Sequence, residues 1–194
     1  MKKKLFSVGL IAIMFLSFTT PIFADSSEVV RSNNVDVTLN SGGFDLQTSE
    51  INSFGDITIK IDDVKYSTGF KNDFVVKDLR GLDDNWQLTV SATPLQSLDN
   101  ANHVFENVLS ISPLADIQRQ GSTNYDALPK KVLDKENVLD DGDVLIAKSE
   151  NGSGLGQFTL TFPEEAIHLM VTPDMKEGVY ESTLTWKLLS VPSN

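Results

Sequence analysis

The chain holds two tryptophans, and each opens a Trp-x-Leu triplet: Trp86-Gln87-Leu88 and Trp186-Lys187-Leu188. An indole is a large rigid face that orders at little entropic cost, and such a face can stack on the C–H side of a sugar ring. In each triplet Trp and Leu are two apart in a Thr-rich alternating run, so on a strand they share one face. That face has two uses. Turned inward it is sandwich core, because Trp is highly buried on average. Turned outward, at least one indole lines a ligand surface. The residues leave both readings open. Asp78 and Arg80 are also two apart. They can hold each other as a carboxylate–guanidinium pair or orient a ligand. Tyr180 can place its hydroxyl at a sheet edge, or bond back to nearby backbone as a corner tyrosine.

Other chemistry is poorly represented. His103 and His168 are far apart, no H-E-x-x-H or G-x-S-x-G run occurs, and there is no cysteine. Glu164 and Glu165 are adjacent, so on an extended chain they point to opposite faces and cannot act as a glycosidase pair. Asp140, Asp141 and Asp143 lack the terminal Glu of a calcium loop and read as a turn built on Asp-Gly. Gly152, Gly154 and Gly156 are followed by no Lys-Ser or Lys-Thr and no helix, so they read as a flexible turn rather than a phosphate loop. We therefore expect no enzyme, no cofactor and no metal. The net charge is −11, and loss of Lys2, Lys3 and Lys4 with a leader would take it to −14. Such a chain is unsuited to nucleic acid, whose binding needs Lys and Arg against phosphates, and to anionic lipid. Attachment to an anionic surface would have to use stacking, hydrogen bonds or a bridging cation.

The elements that position these residues read in period two. Val35–Leu39, Ile57–Ile61, Trp86–Ser91, Phe158–Phe162 and Leu184–Leu188 all alternate apolar and polar residues. Turn-forming stretches separate them, among them Asp140-Asp141-Gly142-Asp143 and Asn151-Gly152-Ser153-Gly154. The spacing predicts an all-β antiparallel sandwich, Ig-like or related. Pro94 to Asp116 is the least regular part. It reads as a longer loop or a short helix before a strand around Val108–Ile111.

The N-terminus sets the compartment. Lys2 to Lys4 are followed by an apolar run, Leu5 to Phe18, then Thr19-Thr20-Pro21 and Ile22-Phe23-Ala24. That order predicts a secretory signal peptide over residues 1–24, a flexible lead-in over 25–34, and one domain over 35–194. The apolar run falls short of the ~20 residues that span a bilayer, which favours a leader over an anchor, and no second long apolar run follows, so membrane insertion of the mature chain is not expected. The mature chain of 170 residues, 25–194, can bury a sizeable core without disulfides. The sequence ends in Val191-Pro192-Ser193-Asn194 with no LPxTG sorting signal, so we expect any retention at the surface to be by binding.

The triplets and their flanks resemble the WxL domain of Gram-positive surface proteins. Upstream of the first lies Asp78-Leu79-Arg80-Gly81, similar to the family's D-x-R-G run. Around the second lies Tyr180-Glu181-Ser182-Thr183-Leu184-Thr185-Trp186-Lys187-Leu188, similar to its Y-x-x-x-L-T-W-x-L ending, with Pro192 beyond. The residue before the first Trp is Asn85, where the family pattern has glycine. The resemblance spans essentially all of the mature chain. It implies a secreted protein that attaches non-covalently to the cell wall through peptidoglycan. It names Trp86, Leu88, Trp186, Leu188, Asp78, Arg80 and Tyr180 as the motif residues. It also implies companion partners, a membrane-anchored surface protein among them. An adhesin for host matrix is the alternative.

Overall fold

The computed structural model describes residues 37–82, 84–121 and 127–192. The chain divides into a leading unit, Met1–Thr38, and a body, Leu39–Asn194. Of the leading unit only residues 37 and 38 are described, and neither is in a strand. The signal peptide and lead-in expected from the sequence lie outside the described residues.

Among the described residues the body has fifteen strands and no helix. The first eight are β1 (Phe44–Gln47), β2 (Val64–Thr68), β3 (Phe74–Asp78), β4 (Asn85–Ala92), β5 (Leu95–Ser97), β6 (Val104–Phe105), β7 (Leu109–Ile111) and β8 (Asp116–Gln120). The rest are β9 (Lys130–Lys131), β10 (Asn137–Val138), β11 (Val144–Lys148), β12 (Gly156–Thr161), β13 (Ile167–Val171), β14 (Tyr180–Glu181) and β15 (Leu184–Val191). All pairings are antiparallel. They build sheets of order β1-β3-β12-β8, β15-β4-β11-β9 and β10-β7-β13-β2, with a small sheet β14-β5-β6. The expected all-β sandwich is what the chain forms.

The first two sheets share one core. Phe74, Val76, Phe158 and Leu160 come from one, and Trp86, Leu88, Val90 and Ile146 from the other. Each of these eight is fully buried, and such burial is worth ~1.5–3 kcal/mol per large apolar side chain. The third sheet adds Ile111 and Ile167 to this core. It also gives Leu109, Leu169 and Val171 to a second, smaller cluster closed by Leu95 and Met175.

The longest ladder joins the two tryptophan strands. β4 and β15 pair along eight residues, with Trp186 opposite Val90, Leu188 opposite Leu88 and Ser190 opposite Trp86. Two segments distant in sequence thus lie side by side. β15 and β1 are the outer strands of their sheets.

Two expected strands do not form. Residues 37–39 of the Val35–Leu39 run are outside any strand, with Val37 and Leu39 largely exposed, and residues 35 and 36 are not described. Ile57–Ile61 is also unpaired. It precedes β2, the edge of its sheet, and finds no neighbouring ladder. Ile57 instead leans on the second cluster, while Ile61 is 89% exposed. The irregular Pro94–Asp116 segment has no helix: it carries β5, β6 and β7. Alternation shows that a segment can be a strand; a partner with open main-chain groups decides whether it is one.

Candidate functional site

The two Trp-x-Leu triplets have different surroundings. Trp86 and Leu88 sit on the central strand β4 and are fully buried. The Trp86 main-chain N–H donates to Ser149 Oγ (2.8 Å), and the Ser149 N–H donates to the Trp86 carbonyl (2.9 Å). The indole Nε1–H donates to the Gly154 carbonyl (3.1 Å), which meets the one polar need of a buried tryptophan. Trp86 is therefore core, and its edge reaches the turn between β11 and β12.

That turn is packed rather than open. Gly154 is buried. A Cβ there would lie 2.4 Å from Ser149 Oγ and 2.8 Å from Trp86 Nε1. Sequence reasoning read this glycine as part of a flexible turn and missed its role. No local pattern shows it, because the indole it accommodates is sixty-eight residues away.

Trp186 and Leu188, on the outer strand β15, are half-buried. The inner side of Trp186 meets three phenylalanines. Ring centroids lie 4.6 Å from Phe74, 5.8 Å from Phe162 and 6.0 Å from Phe70. Its outer side lines a groove of about 500 Å³ with Phe44, Leu46, Leu184 and Leu188, rimmed by Asp45 and Thr48. One wall is β1 and the other β15. Among the described residues neither strand carries a ladder on its outer side. Leu184, Trp186 and Leu188 face inward at period two, yet all stay partly exposed because the sandwich is open along this edge.

Asp78 and Arg80 brace that opening. Asp78 ends β3 and is fully buried, whereas Arg80 lies just past the strand. The Arg80 Nε–H donates to Asp78 Oδ1 (2.9 Å) and an Nη2–H to Oδ2 (2.8 Å), a bidentate pair. Those hydrogen bonds hold the guanidinium pKa above its usual value. An Nη1–H also donates to Ser190 Oγ on β15, and the guanidinium carbon sits 3.9 Å over the Phe44 ring. One side chain thus links the end of β3, the groove residue Phe44 and the strand that carries Trp186. Phe44, Leu46, Leu184 and Ser190 were not singled out from sequence. Only Leu184 had a signal, as the next member of the Trp186–Leu188 alternation.

Tyr180 lies elsewhere. It is on β14, its ring 5.6 Å from Phe105, and its hydroxyl donates to the Lys176 carbonyl (2.9 Å). It borders a second opening, a cleft of about 910 Å³. Leu95, Leu109, Leu169, Val171 and Met175 line its floor, and residues 51–59 form one side. Leu184 borders both openings.

Other polar residues are tied into the frame in part, and Asn85 Oδ1 and Asp140 Oδ1 are buried without a hydrogen-bond partner among the described residues. Asn85 opens β4 without a positive φ, so the glycine of the family pattern is not required there by backbone geometry. Asp143 accepts two hydrogen bonds from Lys187 Nζ (2.9 and 2.8 Å), and Asp140 Oδ2 accepts from the Asn107 N–H (2.7 Å). No group of three acidic or histidine side chains is placed to hold a metal ion among the described residues. His168 is buried, with Ser67 Oγ 2.9 Å from Nδ1 and Ser112 Oγ 2.7 Å from Nε2. Burial pushes its pKa down, against the opposing pull of Glu136. No described helix is long and apolar enough to cross a membrane.

No curated protein and no solved structure matches the chain at a significant level. The family model for the WxL domain, described as surface cell wall-binding, matches residues 25–192. Both triplets, the Asp78–Arg80 brace and Tyr180 fall inside that match, and so the chain belongs to the WxL family of cell wall-binding surface domains.

Proposed function

We propose that this domain is exported and held at the wall without a covalent link, by gripping peptidoglycan in the groove over Trp186. The observation that supports this reading is the half-buried indole. A core-only tryptophan closes over, as Trp86 does; Trp186 keeps one side in a groove with Phe44 beside it. Sugar rings present apolar C–H faces to such a platform, and their hydroxyls can meet Asp45, Thr48 and the free main-chain groups of β1 and β15. This contact does not depend on net charge, which suits an acidic chain at an anionic wall.

The same reading assigns no catalysis. The buried His168 is engaged by a serine at each ring nitrogen, and the Glu136 carboxylate 3.6 Å from its Nε2 is itself taken up by Lys65 and Ser110. The test is co-sedimentation of the mature chain with purified, protein-free peptidoglycan. The chain is expected in the pellet, and Trp186→Ala is expected to move most of it to the supernatant while the thermal transition stays cooperative. Wild-type chain recovered wholly in the supernatant overturns the reading.

A further inference from the structure

Residues 56–61 alternate like a strand and pair with no strand among the described residues. Ile57, Ile59 and Ile61 alternate with Thr58 and Lys60. Among the described residues the main chain there makes no backbone–backbone hydrogen bond. Among the described residues its one main-chain hydrogen bond is to a side chain, the Thr58 carbonyl accepting from the Tyr66 hydroxyl (3.3 Å). Apolar β-branched residues are not usually left this way: Ile59 is 37% and Ile61 89% exposed. After a bend and Asp62-Asp63 the chain enters β2, which is itself a sheet edge. Beside it lies the 910 Å³ cleft with its apolar floor.

We propose that this segment and the cleft form a docking site for an extended polypeptide strand of a partner protein, one that alternates apolar and basic residues. Three observations select that occupant. Apart from the Thr58 carbonyl, the N–H and C=O groups along residues 56–61 have no partner among the described residues; they are the complement of an extended main chain, and strand addition uses them directly. The cleft floor of Leu95, Leu109, Leu169, Val171 and Met175 accepts the apolar side chains that such a strand turns inward. The rim is acidic on balance: Asp56, Glu177 and Glu181 border the cleft with Lys176, and Lys60 on the segment is outnumbered by Asp62 and Asp63 that follow it. A second copy of this chain brings the same negative charge and is disfavoured, whereas basic side chains on the incoming strand are drawn in. This surface is separate from the Trp186 groove, although Leu184 borders both.

The test uses the mature chain and a labelled, end-capped peptide of sequence Lys-Ile-Thr-Val-Lys-Ile-Thr-Val-Lys. Saturable binding is expected by fluorescence anisotropy, with new hydrogen-exchange protection at residues 56–61. A peptide of the same side chains, N-methylated at alternate residues, should bind at least tenfold more weakly because it cannot complete the ladder. Ile61→Lys, at an exposed position outside the core, should weaken binding tenfold or more with unchanged melting temperature. The charge-reversed pair Glu177→Lys and Glu181→Lys should do likewise. Equal binding of the N-methylated peptide overturns the proposal, as does protection confined to β1 and β15. So does a free chain already protected at 56–61, which would mean that its own residues fill the site. Ile61→Lys should still sediment with peptidoglycan, so this proposal and the wall-attachment reading fail by different results.

Discussion

At the scale of single residues, two Trp-x-Leu triplets have divided two tasks. Trp86 is sealed and hydrogen-bonded to Gly154; Trp186 has one side on a phenylalanine cluster and the other in a groove. Trp86→Phe should cost about 2–3 kcal/mol in urea unfolding, since it leaves a void and an unpartnered carbonyl. Trp186→Phe should cost about 1 kcal/mol or less and show its effect in wall retention instead. Equal stability losses would refute that division. Arg80→Ala strands a fully buried carboxylate and should cost about 3–5 kcal/mol. The double change Asp78→Asn with Arg80→Met should recover much of that loss, because it removes both charges at once. The sequence disclosed these motif residues and the Asp78–Arg80 spacing. It did not disclose which indole was sealed, because Trp86 and Trp186 have the same local pattern and differ only in that β4 is central and β15 is outer.

Among the elements, period two located β4, β12 and β15, because their apolar faces meet a core. It failed for Ile57–Ile61, where the pattern is present and the ladder is not. The turn after β11 makes a pH-dependent contribution. Glu150 accepts hydrogen bonds from Lys130 and, at 2.6 Å, from Lys148, and these hold its carboxyl down at about 2 from its usual 4.5. A carboxyl depressed on folding stabilises the fold above the unfolded value and loses that contribution as pH falls through the folded one. Its contribution is thus intact above about pH 4.5 and fades toward pH 2. The Glu150 N–H and carbonyl both bond Ser153 in the turn that seats the Trp86 indole. Tryptophan fluorescence should therefore shift in that window. Glu150→Gln should flatten the shift; an unchanged titration would show that this turn is held by other contacts.

For the whole molecule, charge and attachment pull in opposite directions. A chain of net charge −11 facing an anionic wall is repelled at long range, and salt screens that repulsion over ~10 Å at 0.1 M. If the contact is stacking and hydrogen bonding, raising sodium chloride from low to moderate concentration should leave retention on purified peptidoglycan unchanged or increase it. A steep loss would point instead to ion pairing. The acidic balance was legible from composition alone, and family membership from two spaced motifs. The groove was not, since Phe44 and Leu46 on β1 lie far in sequence from the strand they face.

The pairing of β4 with β15 also fixes an order of events. Asn85 meets Val191 and Ala92 meets Leu184, so the strand carrying the sealed indole waits for a partner about a hundred residues further along the chain. A polypeptide emerging amino end first would hold that flank of β4 unprotected until β15 emerges. Premature termination before Leu184 would leave the flank permanently open, a template for sticking to any other incomplete copy nearby.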